Sequence, residues 1–428
     1  MSEPLRLGIA GLGTVGIGVV KIVQGLGETL TTRAGRPIEI VAVSARSKGR
    51  ERGADISSYA WEDDPVALAR RDDIDVFVEL VGGDEGPAKD AVEAAIASGK
   101  DVVTANKALL AVHGQALAEA AETKGLCLRY EAAVAGGIPV IKALTEGLAG
   151  NRIERVMGVM NGTCNYILTR MQDAGLDYQT VFAEADSLGY LEADPTLDVG
   201  GIDAGHKLAI LASIAFGSQV DFGAMQIEGI ERVSIEDIEL AADMGFRVKL
   251  LGVAQMTGRG LETRMSPCLV PMSSPLGQLE GATNMVVLEG DSVGQIVLRG
   301  AGAGEGPTAS AVMSDIVDLA RGLRLPTFGQ PASTLAKVRA ASSAAPAPYY
   351  LRMGLVDRPG ALAKIATVLG EAGISIDRMR QLSHTDPSAP VVIVTHKASR
   401  MALDEAIAAM DGTEVLTSQP VALRIEAI

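Results

Sequence analysis

A short apolar run, Leu5 to Ala10, leads directly into Gly11-Leu-Gly13-Thr14-Val15-Gly16-Ile-Gly18, and an apolar stretch through Val19, Val20, Ile22 and Val23 follows. A strand that turns through GxGxxG into a helix is the opening of a dinucleotide-binding βαβ unit. Its glycines make the tight turn and let the backbone approach a pyrophosphate at the helix N-terminus. The motif alone is weak; its position between a strand and a helix at the start of the chain strengthens it. The next segments keep the rhythm. Ile38 to Val43 and Val76 to Val81 read as strands, Ala88 to Ala97 as a helix, Asp101 to Thr104 as a strand and Leu109 to Lys124 as a helix. Strands alternating with helices at this spacing predict a doubly wound parallel sheet over residues 1–132.

From about Val156 the pattern becomes α+β. Helices are expected over Tyr178 to Leu188 and Ile202 to Phe216, and strands near Val156 to Val159, Val248 to Gln255 and Gly260 to Val270. Met285 to Gly290 and Gln295 to Arg299 form an expected antiparallel pair. A glycine-rich stretch, Gly300 to Thr308, then leads into a helix reaching Leu323. Residues 133–330 are read as a second domain, with about 300–320 returning to the first. Residues 331–348, with the small, proline-containing run Ala341 to Pro348, are read as a linker. Residues 349–428 read strand, helix, strand, strand, helix, strand, a ferredoxin-like βαββαβ unit.

Hydrophobic residues make up 47% of the chain and aromatic ones 3%, so the core is aliphatic. A net charge of −15 argues against nucleic acid or an anionic membrane surface as partner. Cys127, Cys164 and Cys268 lack CxxC spacing, which predicts neither disulfides nor a zinc site. The start of the chain has no apolar signal stretch, and no run of about 20 apolar residues occurs; a cytoplasmic location is expected.

The end of the second strand bears on the cofactor. NAD-preferring folds place an acid there for the ribose hydroxyls. This chain has Ser44-Ala45-Arg46-Ser47-Lys48, then Arg50 and Arg52, which suit a 2′-phosphate. NADP is favoured, with NAD as the alternative; the competing reading is a solvated basic loop. Residues 185–207 gather Asp186, Glu192, Asp194, Asp198 and Asp203 in a Gly-interrupted segment ending in Lys207. Asp203 and Lys207 are four apart and share a helix face. Such a pair can deliver a proton, or can be an ordinary helix-start ion pair. Around Tyr130-Glu131, the glycine-broken run to Pro139 must turn its carbonyls toward a cation or toward bound water.

The frame Ala185, Gly189, Tyr190, Asp194-Pro195, Asp198, Gly201, Asp203 and Lys207 resembles the signature of homoserine dehydrogenases, with Leu191 standing where the family usually has a small residue. Glu79-Leu-Val-Gly82-Gly83, Val103-Thr104-Ala-Asn106-Lys107 and Met160 to Tyr166 are similar to that family too, with Cys164 in place of the usual Thr or Ser. The resemblance implies a Rossmann-type domain and the interconversion of L-homoserine and L-aspartate 4-semialdehyde, a step toward threonine, methionine and isoleucine. It implies Lys207 as proton donor oriented by Asp203, with Lys107 reaching cofactor and substrate and taking part in proton transfer. Glu192 would bind the substrate ammonium and Asp198 would order the site. Thr104 would lie near the nicotinamide. Gly11, Gly13, Thr14, Val15, Gly16, Arg46, Ser47, Lys48 and Gly302 would serve the cofactor. A monovalent cation such as sodium or potassium would be held by the Glu131 carboxylate and the carbonyls of Val134, Gly136 and Ile138. His113, His206, His384 and His396 have no partner motif.

The turn Asp357-Arg358-Pro359-Gly360, opening the βαββαβ unit, resembles an ACT domain. This implies binding of a small amino acid, with threonine the expected feedback ligand, or alternatively a dimerisation module without ligand. A homodimer or homotetramer is expected. A tethered module of this kind predicts that truncation after Ala341 leaves an active enzyme insensitive to threonine. Two other readings stay open: an amino-acid sensor with a decayed dehydrogenase part, and another NADP-dependent reductase of a small aldehyde. Intact Lys107, Glu192, Asp203 and Lys207 speak against the first, and the acidic segment favours an amino-acid substrate over the second.

Overall fold

The structure, a computed structural model, describes residues 3–191, 194–382 and 388–427. The first sheet contains β1 (Leu5–Ala10), β2 (Ile38–Ser44), β3 (Ala60–Glu62), β4 (Val76–Glu79), β5 (Asp101–Thr104) and β6 (Leu128–Arg129) in the order β3-β2-β1-β4-β5-β6. Every pairing is parallel, as the alternating pattern predicts. β4 and β5 are buried along their whole length, because helices cover both faces. The order reverses beside β1, where the chain runs from β1 into the helix Thr14–Ala34 and the crevice of a doubly wound sheet opens.

Local chemistry sets the element ends. The expected strand Val76 to Val81 stops at Glu79, since the Val81 and Gly82 N–H groups donate to the Glu79 carboxylate (2.8 and 2.9 Å) instead of a neighbouring strand. The helix expected from Leu109 begins at Lys107, because Asn106 caps it by accepting from the Leu109 N–H. The helix Ile202–Phe216 has the expected bounds, with left-handed glycines, Gly201 and Gly217, at its two ends. The helix expected to reach Leu323 ends at Ala320.

The second sheet is built from β7 (Ile153–Val159), β8 (Gln226–Ile227), β9 (Phe246–Thr257), β10 (Gly260–Pro271), β11 (Thr283–Gly290) and β12 (Gly294–Ala301), together with β13 (Tyr349–Val356), β14 (Ile376–Gln381), β15 (Ser388–Thr395) and β16 (Val421–Ile425). Its order is β12-β11-β7-β9-β10-β16-β13-β15-β14, with β8 beside β10. β11 and β12 are the expected antiparallel pair. The C-terminal unit has the expected βαββαβ order, but it is not a free appendage. Its last strand pairs in parallel with β10 (Cys268↔Arg424, Leu269↔Ile425), so one sheet runs through both units.

The segment expected as a linker is likewise fixed. The Ala341 N–H donates to the Leu261 carbonyl, the Leu261 N–H to the Arg339 carbonyl, and the Ala345 N–H to the Glu262 carboxylate. Buried charge reinforces the seam. Glu426 accepts from both Arg264 and Arg424, and Arg352 of β13 holds Glu236 (2.7 Å) and Asp237 (2.5 Å) on the helix Ile235–Asp243. Among the described residues, no helix is long and apolar enough to cross a membrane.

Candidate active site

The nucleotide fingerprint is a close-packed turn with one open position. Gly11 has φ +100°, and a Cβ on it would lie 2.2 Å from the Leu80 carbonyl oxygen. A Cβ on Gly16 would lie 1.9 Å from the Gly11 carbonyl oxygen. Gly13, at the N-cap of Thr14–Ala34, has open space where its Cβ would be and provides no side-chain cap. The helix N-terminus is thus left to an outside acceptor, which fits a pyrophosphate. Beside it lies a cleft of about 730 Å³ lined by Gly11, Gly13, Ser44, Arg46, Ser47 and Arg50.

Arg52 shapes this cleft's wall by donating to the Ser47, Lys48 and Arg50 carbonyls. Lys48 is not in its lining; it lines the adjoining groove with Glu51 and Trp61. Asp63, which sequence reading did not single out, also lines the cleft and accepts from the Trp61 indole N–H at 2.8 Å.

A second cleft, of about 540 Å³, opens between the two sheets. Val15, Ala105, Lys107, Asn161, Asp198, Asp203, Lys207 and Gly302 are in its lining. The helix Ile202–Phe216 presents Asp203 and Lys207 one turn apart on one face, and Lys107 comes from the N-terminus of Lys107–Thr123 at the end of β5. The Asp203 carboxylate bridges the two ammonium groups, with Lys207 Nζ 2.8 Å from Oδ2 and Lys107 Nζ 3.0 Å from Oδ1.

Burial alone would raise the Asp203 carboxyl, but Lys207 and then Lys107 hold it well below the usual carboxylate range, so it stays ionised. Lys207 also donates to the Met160 carbonyl at 2.8 Å. An ammonium has three donors. Two are taken among the described residues, and the third is available to a ligand oxygen in the cleft.

Asn161 ties these parts together. It caps the helix Gly162–Ala174 by accepting from the Cys164 N–H, and its Nδ2 donates to Asp198 (2.8 Å) and Asp203 (3.0 Å). Sequence reading saw only the capping role; the dual use depends on residues 37 and 42 positions away. Cys164 is buried and donates its thiol to the Asp198 carbonyl, as a Ser or Thr hydroxyl would.

Thr104 is brought near the cleft but not into it. Its hydroxyl donates to Glu79 (2.5 Å) and accepts from the Asn106 N–H, so a buried Glu79–Thr104 hub fixes the loops after β4 and β5. Glu192 and His384 lie outside the described residues. His206 packs on Phe222, ring centroids 4.3 Å apart.

Glu131 is buried and accepts from the Ile141 and Lys142 N–H groups (2.9 and 2.8 Å). Burial, then the nearby Asp315, push its carboxyl up to about 7. Ala135 (φ +57°) and Gly136 (φ +54°) are left-handed, a costly state for Ala that redirects the local carbonyls. Gly136 abuts the Gly302 carbonyl, where a Cβ would come within 2.4 Å. The Ile138 carbonyl accepts from the Val140 N–H. No cluster of three or more His, Cys, Asp or Glu that could hold a metal occurs among the described residues, so a cation here would rest mainly on carbonyls.

The family models for homoserine dehydrogenase and for the homoserine dehydrogenase NAD-binding domain match residues 139–317 and 11–131, and the ACT domain model matches 349–413. The homoserine dehydrogenase of Neisseria gonorrhoeae is 42% identical over 434 residues, covering 100% of this chain and 99% of that one. The chain belongs to the homoserine dehydrogenase family. It is an NAD(P)-dependent oxidoreductase carrying a C-terminal ACT domain. The homoserine dehydrogenase of Pseudomonas aeruginosa is also 42% identical, with 99% of each chain covered. A crystal structure of the Thiobacillus denitrificans homoserine dehydrogenase superposes with a TM-score of 0.93 at 41% identity, covering 99% of this chain and 98% of that one. A hyperthermophilic archaeal homoserine dehydrogenase solved in complex with NADPH has a TM-score of 0.64 at 26% identity, over 76% of this chain and 100% of that one.

Proposed function

We propose that the chain reduces L-aspartate 4-semialdehyde to L-homoserine, reversibly and with NADP(H) preferred, at a centre made by Lys207, Asp203 and Lys107. The observation that carries this reading is one buried carboxylate held between two ammonium groups, 2.8 and 3.0 Å away, at the mouth of a nucleotide-binding sheet. The nicotinamide, when bound, supplies or accepts the hydride. The protein has to orient the aldehyde and manage one proton. Reduction builds negative charge on the aldehyde oxygen; the third N–H of Lys207 stabilises it and then donates the proton. Asp203 holds Lys207 in that direction. Lys107 adds a second positive charge on the opposite edge of the carboxylate. Asp198 supports Asn161, and Glu192 is proposed to take the substrate ammonium. Initial-rate assays of homoserine with NADP and with NAD test the reading; no turnover with either would reject it.

The basic loop after β2 supports the NADP preference, with Arg46 and Ser47 on the 2′-phosphate. Arg46→Ala is expected to raise KM for NADP by about tenfold, the value of one charged hydrogen bond, with a much smaller change for NAD. Equal effects on both cofactors would mean that Arg46 is only solvated.

A monovalent cation is proposed at Glu131, with the carbonyls of Val134, Gly136 and Ile138. Because this turn packs on Gly302, exchanging sodium and potassium for choline is expected to lower Tm by a few degrees and to lower kcat. Re-addition should restore both. Identical melts in all three salts would leave the turn a structural one.

The ACT domain is proposed to bind threonine at the Asp357–Gly360 turn. Feedback of that kind would place the enzyme in threonine, methionine and isoleucine biosynthesis, as a homodimer or homotetramer. Calorimetry of the intact chain at millimolar threonine tests the binding directly.

A further inference from the structure

Lys249 on β9 is buried, 3% exposed, yet no carboxylate pairs with it among the described residues. Its ammonium donates to the Asn165 side-chain carbonyl at 2.9 Å and to the Leu279 backbone carbonyl. Asn165 is itself 1% exposed, and its Nδ2 donates to the Gly281 carbonyl at 2.7 Å. Two carbonyls of one short turn, 279 and 281, are thus held from below by a Lys–Asn pair joining β9 to the helix Gly162–Ala174.

The turn so held is a wall of the catalytic cleft. Ala282 and Asn284 both line that cleft. A Cβ on Gly162 would lie 2.6 Å from the Ala282 carbonyl oxygen, so the turn touches the residue next to Asn161. The Asn284 side-chain oxygen is sealed from solvent without a hydrogen-bond partner among the described residues. An acceptor left unsatisfied by the protein, in the wall of a ligand cleft, is costly for the fold alone.

We infer that Lys249 and Asn165 form a clamp that positions the 279–282 turn, and with it the start of β11 at Asn284, against the start of the helix Gly162–Ala174, making Lys249 a positioning residue for turnover. The inference rests on the homoserine reaction proposed above.

Energetics argue in the same direction. Burial, then Arg247, push the Lys249 ammonium down to about 8, against the smaller opposing pull of Glu280 and Asp173. Between that value and the ordinary lysine range of about 10.4, the unfolded chain binds the proton and the folded chain has lost it. Stability therefore rises with pH there, and at neutral pH the buried charge is a net burden. Its two hydrogen bonds offset part of that burden, since without them the Asn165 and Leu279 oxygens would be left unsatisfied. A charge kept at such a cost fits a geometric role in the site better than a role in stability.

The test measures Lys249→Met, Asn165→Ala and the double variant, after wild-type turnover of homoserine with NADP has been recorded. Each single variant should lose about 10–10²-fold in kcat/KM for homoserine, the scale of a misplacement of about 1 Å in an active site. Binding of NADPH, read by fluorescence titration, should stay within about twofold, since the nucleotide cleft is not touched by the clamp. The double variant should lose no more than the worse single one, because the two side chains act as a unit.

Additive losses, unchanged kcat/KM, or a parallel loss of NADPH affinity would overturn the clamp and leave Lys249 a packing residue. Should Lys249→Met be insoluble, Asn165→Ala decides alone, and normal kcat/KM in it overturns the inference. A wild type that does not turn over homoserine fails the functional reading itself, and the inference with it, before any variant is made.

Discussion

Lys207→Ala is expected to lower kcat about 10²–10⁴-fold, the range for loss of a positioned general acid, while NADPH still binds. The substitution removes the ammonium proposed to donate to the aldehyde oxygen. It does not strand Asp203, which keeps Lys107 at 3.0 Å and the Asn161 side chain at 3.0 Å. The variant should therefore fold. Asp203 loses one of its partners, and the Met160 carbonyl loses the Lys207 donor, a cost of about 1–3 kcal/mol for a buried acceptor. Alanine also suits the interior of the helix Ile202–Phe216.

The electrostatics constrain the pH profile as well. Asp203 is held ionised by its two lysines, so no acid limb in the neutral range should arise from it. Steady-state kinetics, thermal melts and NADPH titration together read these outcomes. A folded variant with near-normal turnover would remove Lys207 from the chemistry and leave it a helix ion pair.

What the sequence made legible was local. The run from Leu5 through Gly16 specifies strand, turn and helix within a few residues, and Gly11 and Gly16 have steric reasons for lacking a Cβ while Gly13 keeps the helix N-terminus open. The helix Ile202–Phe216 has a glycine just before it and another just after, so its ends and the Asp203–Lys207 face were readable together. The alternation over residues 349–428 likewise carried the βαββαβ order.

The less legible parts depend on distant partners. Glu79 ends β4 by turning its carboxylate onto the following N–H groups and onto Thr104, 25 residues away. That contact also ties Thr104 to the loops after β4 and β5. Asn161 looked like a cap because its other two partners lie beyond any local pattern. Lys249 sits in a strand that also carries Arg247, and no spacing rule distinguishes a buried lysine from an exposed one. The Ala341 to Pro348 run has linker composition, but its backbone is tied to β10 by groups such as Glu262 that local reading does not connect to it.

Truncation after Ala341 is expected to destroy the enzyme, not to desensitise it. A module hung on a flexible tether would be dispensable, and its removal would leave full activity without threonine control. Here the removed part includes β16, the strand that covers β10. Without it, the backbone of Cys268, Leu269 and Val270, all buried, becomes an exposed apolar edge, a template for aggregation. The cut also strips Glu426 from Arg264, which is 5% exposed at the side chain and, among the described residues, retains only Glu262 as a carboxylate partner. Breaking a buried pair of this kind costs about 3–5 kcal/mol, a large share of the roughly 5–15 kcal/mol that stabilises a typical domain. On the other flank, Asp237 loses Arg352, and the helix Ile235–Asp243 loses its hold on β13. The truncated chain should express mainly as aggregate, or melt well below the intact chain. A soluble truncated protein with wild-type Tm and kcat would show that the ACT unit is separable after all. Threonine control should therefore be tested in the full-length chain, where binding and inhibition can be measured without opening the shared sheet.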